Sequence, residues 1–264
     1  MNGEERVELD GERVGGALRS AFALRSPPVR AITFIRRWES NARPVAFRCD
    51  DGLTRVVKRV RRDTNLGRAL VNDHIVAHLG YVLGAPVGEP WFVDVPAELV
   101  AAEPQIQHFT PGIGHGTLFI DRCTDREGVG HVDVPANRAR FALLALLYGW
   151  ALANDHQLIY TTEPPYLVYS VDHGHFLPGS ANWVVADLNA APRAIPDPVL
   201  VQGCGLTPTE LRQASWALLQ TPIRGIIDAV ASPLDEWGIT EADRLALVRF
   251  LVRRRAQLLT GLLA

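Results

Sequence analysis

ANDHQLIYTTEPPYLVYSVDHGHF, residues 153–176, contains two acid-bearing turns. Asn154-Asp155-His156 opens the stretch and Asp172-His173-Gly174 closes it. The apolar, aromatic run between them predicts a strand. Asn and Asp form such turns without any function. Here, though, YLVYSV is apolar enough to be buried, which draws Asp172 at its end toward the interior. An unpaired buried carboxylate is costly, and a bound cation offsets that cost. Gly174 lets the backbone turn sharply beside a ligand.

Upstream, residues 137–152 predict a helix that is apolar almost all round, hence central. Residues 103–120 read as extended and glycine-rich, and 91–95 as a strand. A helix is predicted after the N-cap candidates Asp63, Thr64 and Asn65, with Leu66, Leu70, Ile75, Leu79 and Leu83 on one stripe and Gly84 at its end. Strands at 30–38, 45–49 and 54–60, with the turn Asp50-Asp51-Gly52, predict an antiparallel meander. Residues 1–28 read as a loosely ordered arm with one possible helix. Downstream, a proline-rich passage at 192–198 leads into helices opened by cap signatures at Thr207 and Thr240. The expected fold class is α+β in two lobes, a β-rich N-terminal lobe and a mostly helical C-terminal lobe. The expected organisation is a single domain over 1–264: arm 1–28, first lobe 29–110, second lobe 111–264. Clefts between lobes are common ligand sites.

Of the 264 residues 47% are hydrophobic, enough for a sizeable core. The formal charge of −2 and the lack of a long basic run point away from nucleic acid. Cys49, Cys123 and Cys204 have no C-x-x-C spacing, which predicts neither a disulfide framework nor a zinc knuckle and fits a reduced, cytoplasmic setting. The polar, acidic start predicts no signal peptide. The longest apolar run, near 141–152, is too short to span a bilayer, so no membrane partner is expected.

Lys58 stands within a strand, and alternation puts it on the same face as Val56 and Val60. It is either an edge lysine that snorkels to water or a cation aimed into a cleft toward phosphate. A buried lysine needs an anion, and the following helix offers Asp73. His156, Asp155, Asp172, His173 and His175 also form a His/Asp cluster of the kind that binds zinc or iron in hydrolases. In a strand-like stretch His173 and His175 would share one face.

The order is lysine strand, acid helix, central helix, Asp-bearing turn, strand, Asp-x-Gly. That order resembles the HipA-like kinase family, within the wider protein-kinase and phosphatidylinositol-kinase superfamily. The similarity is carried by DDGLTRVVKRV, NDHIVAHLGYVLGAPVGEP, PGIGHGTLF, ANDHQ and SVDHGHFLPG, across about residues 30–185. It implies a two-lobed kinase-like fold that binds ATP and Mg2+ and phosphorylates an unidentified protein or small-molecule acceptor. It further implies phosphate contact by Lys58 with Asp73 as its partner, Asp155 as base with His156 alongside, and Asp172 on magnesium. Residues 105–109, with Gln107 and His108, would form the hinge near adenine. Some positions depart from the family pattern. His156 replaces an Arg, Tyr160 stands where a metal-binding Asn is usual, and Asp73 replaces a Glu. The turn 39–44 has no glycine. Gln157 could supply a carbonyl oxygen to the metal in place of the Asn. These departures keep a nucleotide-binding pseudokinase acting through a partner as the alternative, with the His/Asp metallohydrolase third.

Overall fold

The computed structural model describes residues 11–23, 26–125 and 128–263. Five strands close a barrel: β1 (Val29–Arg37), β2 (Val45–Cys49), β3 (Thr54–Lys58), β4 (Pro90–Val95) and β5 (Gly112–Leu118), in the order β1-β2-β3-β5-β4. The first three form the expected antiparallel meander, and β1 closes on β4 in parallel. Val45, Phe47, Val57, Val93, Ile106 and Phe109 fill the interior. Because β3 is pleated, Val57 points into that core while Val56 and Lys58 line a cleft beneath the barrel. The barrel outruns the boundary expected after residue 110. β5 pairs with both β3 and β4, so the sheet of the first lobe runs to Leu118.

Of the N-terminal arm, residues 11–23 form helix α1 (Gly11–Ala23). Val14, Leu18 and Ala21 are buried in the main core, so this part is anchored rather than loose. Helix α2 (Ala69–Leu83) begins later than the cap candidates predict, and Asp63, Thr64 and Asn65 all lie ahead of it. The cause is Gly67, with φ +57, where a Cβ would sit 2.5 Å from the Ala181 carbonyl oxygen. Close approach to another loop fixes this turn, and Asn65 closes it by accepting from the Gly67 N–H. Leu66 thus falls outside the helix. Gly84 ends it in the left-handed conformation, as expected (φ +73).

Helix α3 (Ala97–Ala102) follows β4, and a short 3-10 turn at Pro104–Ile106 precedes β5. In the second lobe, β6 (Cys123–Asp125), β7 (Leu158–Thr161) and β8 (Val168–Ser170) form an antiparallel sheet beside the buried α4 (Pro135–Ala151). The hairpin was expected; β6, too short to carry a pattern, was not. Five helices complete the lobe: α5 (Val185–Ala190), α6 (Pro198–Gly203), α7 (Pro208–Gln220), α8 (Ile223–Ala231) and α9 (Glu241–Leu263). Thr207 with Glu210, and Thr240 with Asp243, make the expected reciprocal caps. The apolar residues of α2 join the core of this helical lobe and not that of the barrel. Among the described residues, no helix is long and apolar enough to cross a membrane.

Candidate active site

A cleft of about 870 Å3 lies between the lobes. Lys58, the last residue of β3, is at its floor, 8% exposed. Its Nζ is 2.9 Å from Asp73 Oδ2 and 2.5 Å from Asp172 Oδ1. Burial alone would push the lysine pKa down, but the two carboxylates outweigh it and hold the ammonium above its ordinary range. Asp73, on α2, is itself buried, and its Oδ1 accepts from the His173 backbone N–H at 2.7 Å. One carboxylate thus ties strand, helix and the loop after β8 together. The expected pairing of Lys58 with Asp73 is present, and Asp172 joins it.

Asp172 has φ +58, a left-handed backbone uncommon for a residue with a side chain. The loop is held from behind by Asn72, which is fully buried on α2. Its Nδ2 donates to the carbonyls of Gly174, Phe176 and Ser180, and its Oδ1 accepts from the Trp183 indole. Gly174 serves close packing rather than a ligand: a Cβ there would come 3.1 Å from Asp73 Oδ2 and 3.2 Å from Ala69 Cβ.

The histidines do not converge. His173 is buried, its Nε2 on Ser170 Oγ, which in turn meets the Tyr148 hydroxyl. Burial lowers its pKa to about 4. His175 Nδ1 meets Ser180 Oγ, and His156 Nε2 lies 3.0 Å from Asp197 Oδ1. Residues 173–176 turn instead of continuing β8, so His173 and His175 share no strand face. Among the described residues no group of three or more His, Cys, Asp or Glu could hold a metal. The metallohydrolase expectation fails on this dispersal.

The loop between α4 and β7 presents His156 and Gln157 to the cleft. Asp155 is not among the lining residues. Its Oδ1 accepts from the His156 N–H and its Oδ2 from Gln157 Nε2, both at 2.8 Å, so it braces its own loop. His156 is set from outside the loop. Asp197, 6% exposed, caps α6 through the Leu200 N–H and holds the imidazole with the same oxygen. Sequence reasoning missed Asp197, whose proline-rich setting (PRAIPDP) reads as a linker. Tyr160 is fully buried, with its hydroxyl accepting from the Gly130 N–H at 2.8 Å, so it offers the cleft nothing.

Gln107 and His108 are placed wrongly by the sequence reading. They lie outside the cleft, in the turn before β5, where the His108 carbonyl accepts from the Arg62 N–H. The segment crossing between lobes is the one after β5: Leu118, Phe119 and Ile120 line the cleft, and the Phe119 N–H bonds the Thr54 carbonyl. Opposite, the turn between β1 and β2 overhangs the cleft with Trp38, Glu39 and Ser40. Without glycine, it is strapped down by an Arg43–Asp63 ion pair and by Arg61 donating to the Asn41 carbonyl.

Magnesium is typically held by one or two carboxylates together with substrate phosphates and waters. The cleft offers Asp172 as such a carboxylate, and among the described residues there is no all-protein metal cage. Asp172 Oδ2 and Gln157 Oε1 have no protein partner among the described residues. The Gln157 carbonyl accepts from the Val171 N–H, setting the two segments side by side.

No protein-family model matches the chain, and no curated protein matches its sequence. Among solved structures, the Helicobacter pylori proinflammatory kinase CtkA is similar over 89% of this chain and 96% of its own, with a TM-score of 0.60 at 11% identity. Weaker likenesses are to the Golgi casein kinase (TM-score 0.47, 11% identity, 95% of this chain and 76% of that one) and to Shewanella oneidensis HipA crystallised with HipB and operator DNA (0.44, 13%, 94% and 70%). The likeness to CtkA fixes the fold as kinase-like, with a β-barrel lobe and a helical lobe.

Proposed function

We propose that the cleft binds ATP with Mg2+ and transfers the γ-phosphoryl group to a hydroxyl of a Ser/Thr side chain or small molecule, as the resemblance to HipA-like kinases implies. The observation that carries this reading is Lys58 between Asp73 and Asp172. Lys58 is the single lysine among 27 basic residues of the chain, the rest being arginine. An ammonium is a compact, rotatable point charge suited to phosphate oxygens, where a guanidinium is a planar fork.

In this reading Asp73 keeps hold of Lys58 while the amine turns from Asp172 to the phosphates. Asp172, with Gln157 beside it, would hold the metal, and the metal would supply positive charge to offset that developing on the transferred group. His156, oriented by Asp197, receives the acceptor's proton, and Asp155 keeps the loop in place. A pseudokinase that binds nucleotide is the second reading. It is favoured by Tyr160, whose hydroxyl is turned inward onto the Gly130 N–H and gives the cleft no metal ligand at the position where the family carries an Asn.

The single lysine supplies the test. An amine-reactive reagent can label only Lys58 and the chain terminus, separable by peptide mapping. ATP with magnesium should slow labelling of Lys58, and Asp172→Asn should remove the magnesium dependence. Asparagine tolerates the left-handed backbone at 172, so this variant should fold. Labelling that is indifferent to nucleotide contradicts the binding site. Protection without transfer of labelled phosphate to any lysate component favours the pseudokinase.

A further inference from the structure

Arg254, on α9, is 3% exposed, and among the described residues no carboxylate pairs with it. Burial, with Arg253 nearby, pushes its pKa down to about 10. A charge buried without an anion is costly unless its hydrogen bonds are made. Here they go to main-chain carbonyls. Nε donates to Trp150 at 2.8 Å, Nη2 to Gly149 at 2.6 Å and Nη1 to Pro192 at 2.7 Å. Gly149 and Trp150 belong to the last turn of α4, where carbonyls lack intrahelical partners and the helix dipole is negative. That turn carries no base of its own, so the cation comes from another helix. The fixed fork of a guanidinium lets one group hold two segments at once, which a compact ammonium does not.

Those two segments are the two supports of His156. α4 passes through the left-handed Leu152 directly into the loop that carries His156. The segment from Pro192 leads to Asp197, whose Oδ1 is 3.0 Å from His156 Nε2. Gln157 and Asp155 brace the loop only from within. Gln257, three residues beyond Arg254 on α9, strengthens the second support by accepting from the Ala194 N–H at 2.9 Å. The Trp150 indole donates back to the Leu251 carbonyl, so α4 and α9 are tied in both directions.

We infer that Arg254, aided by Gln257, is a positioning residue for phosphoryl transfer, fixing Asp197 and the His156 loop relative to each other. This rests on the proposed role of His156 toward the acceptor's proton. Holding the helix alone would need only the Gly149 and Trp150 carbonyls. The contacts to Pro192 and Ala194 act on the strand of chain that ends at Asp197. A misplacement of about 1 Å at a reacting group, caused by a change far from it, costs on the order of 100-fold in rate.

The test measures labelled-phosphate transfer and, on the same full-length variants, the ring 15N resonances of the histidines, with His156 assigned by its loss in His156→Ala. Arg254→Lys keeps the charge and loses the fork. It should lower kcat about 10- to 100-fold and hold KM for ATP within about twofold. Gln257→Ala, which removes one hydrogen bond at a half-buried site and guards against a folding failure at 254, should lower kcat less. Gln257→Glu keeps the accepting oxygen and should match wild type. In a His156→Ala background, Arg254→Lys should lower kcat no further, because its effect passes through that ring. The same loss in both backgrounds means a general loosening and overturns the inference, as does an unchanged kcat. The His156 resonances should move in Arg254→Lys and Gln257→Ala while those of His108, in the first lobe, stay. Unmoved His156 resonances overturn the positioning whatever the activity. A wild-type protein that transfers no phosphate overturns the proposed catalysis instead, and movement of the His156 resonances then still supports the positioning.

Discussion

Lys58 and Asp172 lie 2.5 Å apart across 114 residues of chain, with Asp73 on the lysine's other side. Removing the amine leaves a buried carboxylate and a half-buried one facing each other. Lys58→Met should therefore cost about 3 kcal/mol in a urea titration. Adding Asp73→Asn should recover part of it. A double-mutant cycle with no coupling would show that the two groups do not interact in solution.

Asp155 and His156 separate by role. His156→Ala should reduce phosphoryl transfer by roughly 10²- to 10⁴-fold, the range for loss of general acid–base help, with nucleotide affinity kept. Asp197→Asn should lower kcat less. Asp155→Ala should cost stability in its loop and a smaller share of the rate. Labelled-phosphate assays at saturating ATP check this. A larger loss for Asp155→Ala than for His156→Ala would return the base role to the carboxylate.

Gly149 sits inside α4, where alanine is the better helix former by about 1 kcal/mol. The packing reverses that preference. A Cβ at 149 would lie 2.0 Å from the Ile195 carbonyl oxygen and 3.0 Å from Pro196 Cα, both backbone. Gly149→Ala should destabilise the protein by about 3 kcal/mol, measured by chemical denaturation. A stabilised variant would mean that the 195–196 segment does not lie against α4.

Burial holds His78 and His173 at about 4 and His115 well below its ordinary value. The folded protein keeps these groups neutral where the unfolded chain protonates them. Between pH 6.5 and 4 the unfolded state binds more protons, so stability falls as pH falls through that window and is flat above it. Urea midpoints at pH 7.5, 6 and 5 should decrease in that order. His78→Phe should shrink the decrease, and an unchanged slope would assign it to other groups.

Local sequence determined the parts. Strand alternation, the Asp50-Asp51-Gly52 turn, Gly84 and the caps at Thr207 and Thr240 act within a few residues, so their signals are in the local chain. The pairing of Lys58 with Asp73 was also legible, because a buried strand cation needs an acid and the next helix supplies one. Composition held a further signal: one lysine in an arginine-rich chain. Only the tertiary structure brought Asp172 to that lysine and Asp197 to His156. It also moved the inter-lobe segment from Gln107 and His108 to 118–120, because β5 pairs in the barrel before the chain crosses. It turned Tyr160 inward through the pleat of β7 and fixed the start of α2 by the approach of Gly67 to Ala181. In each case the deciding partner is remote in the chain. Side-chain burial and backbone clearance depend on what packs opposite, and no local pattern records that.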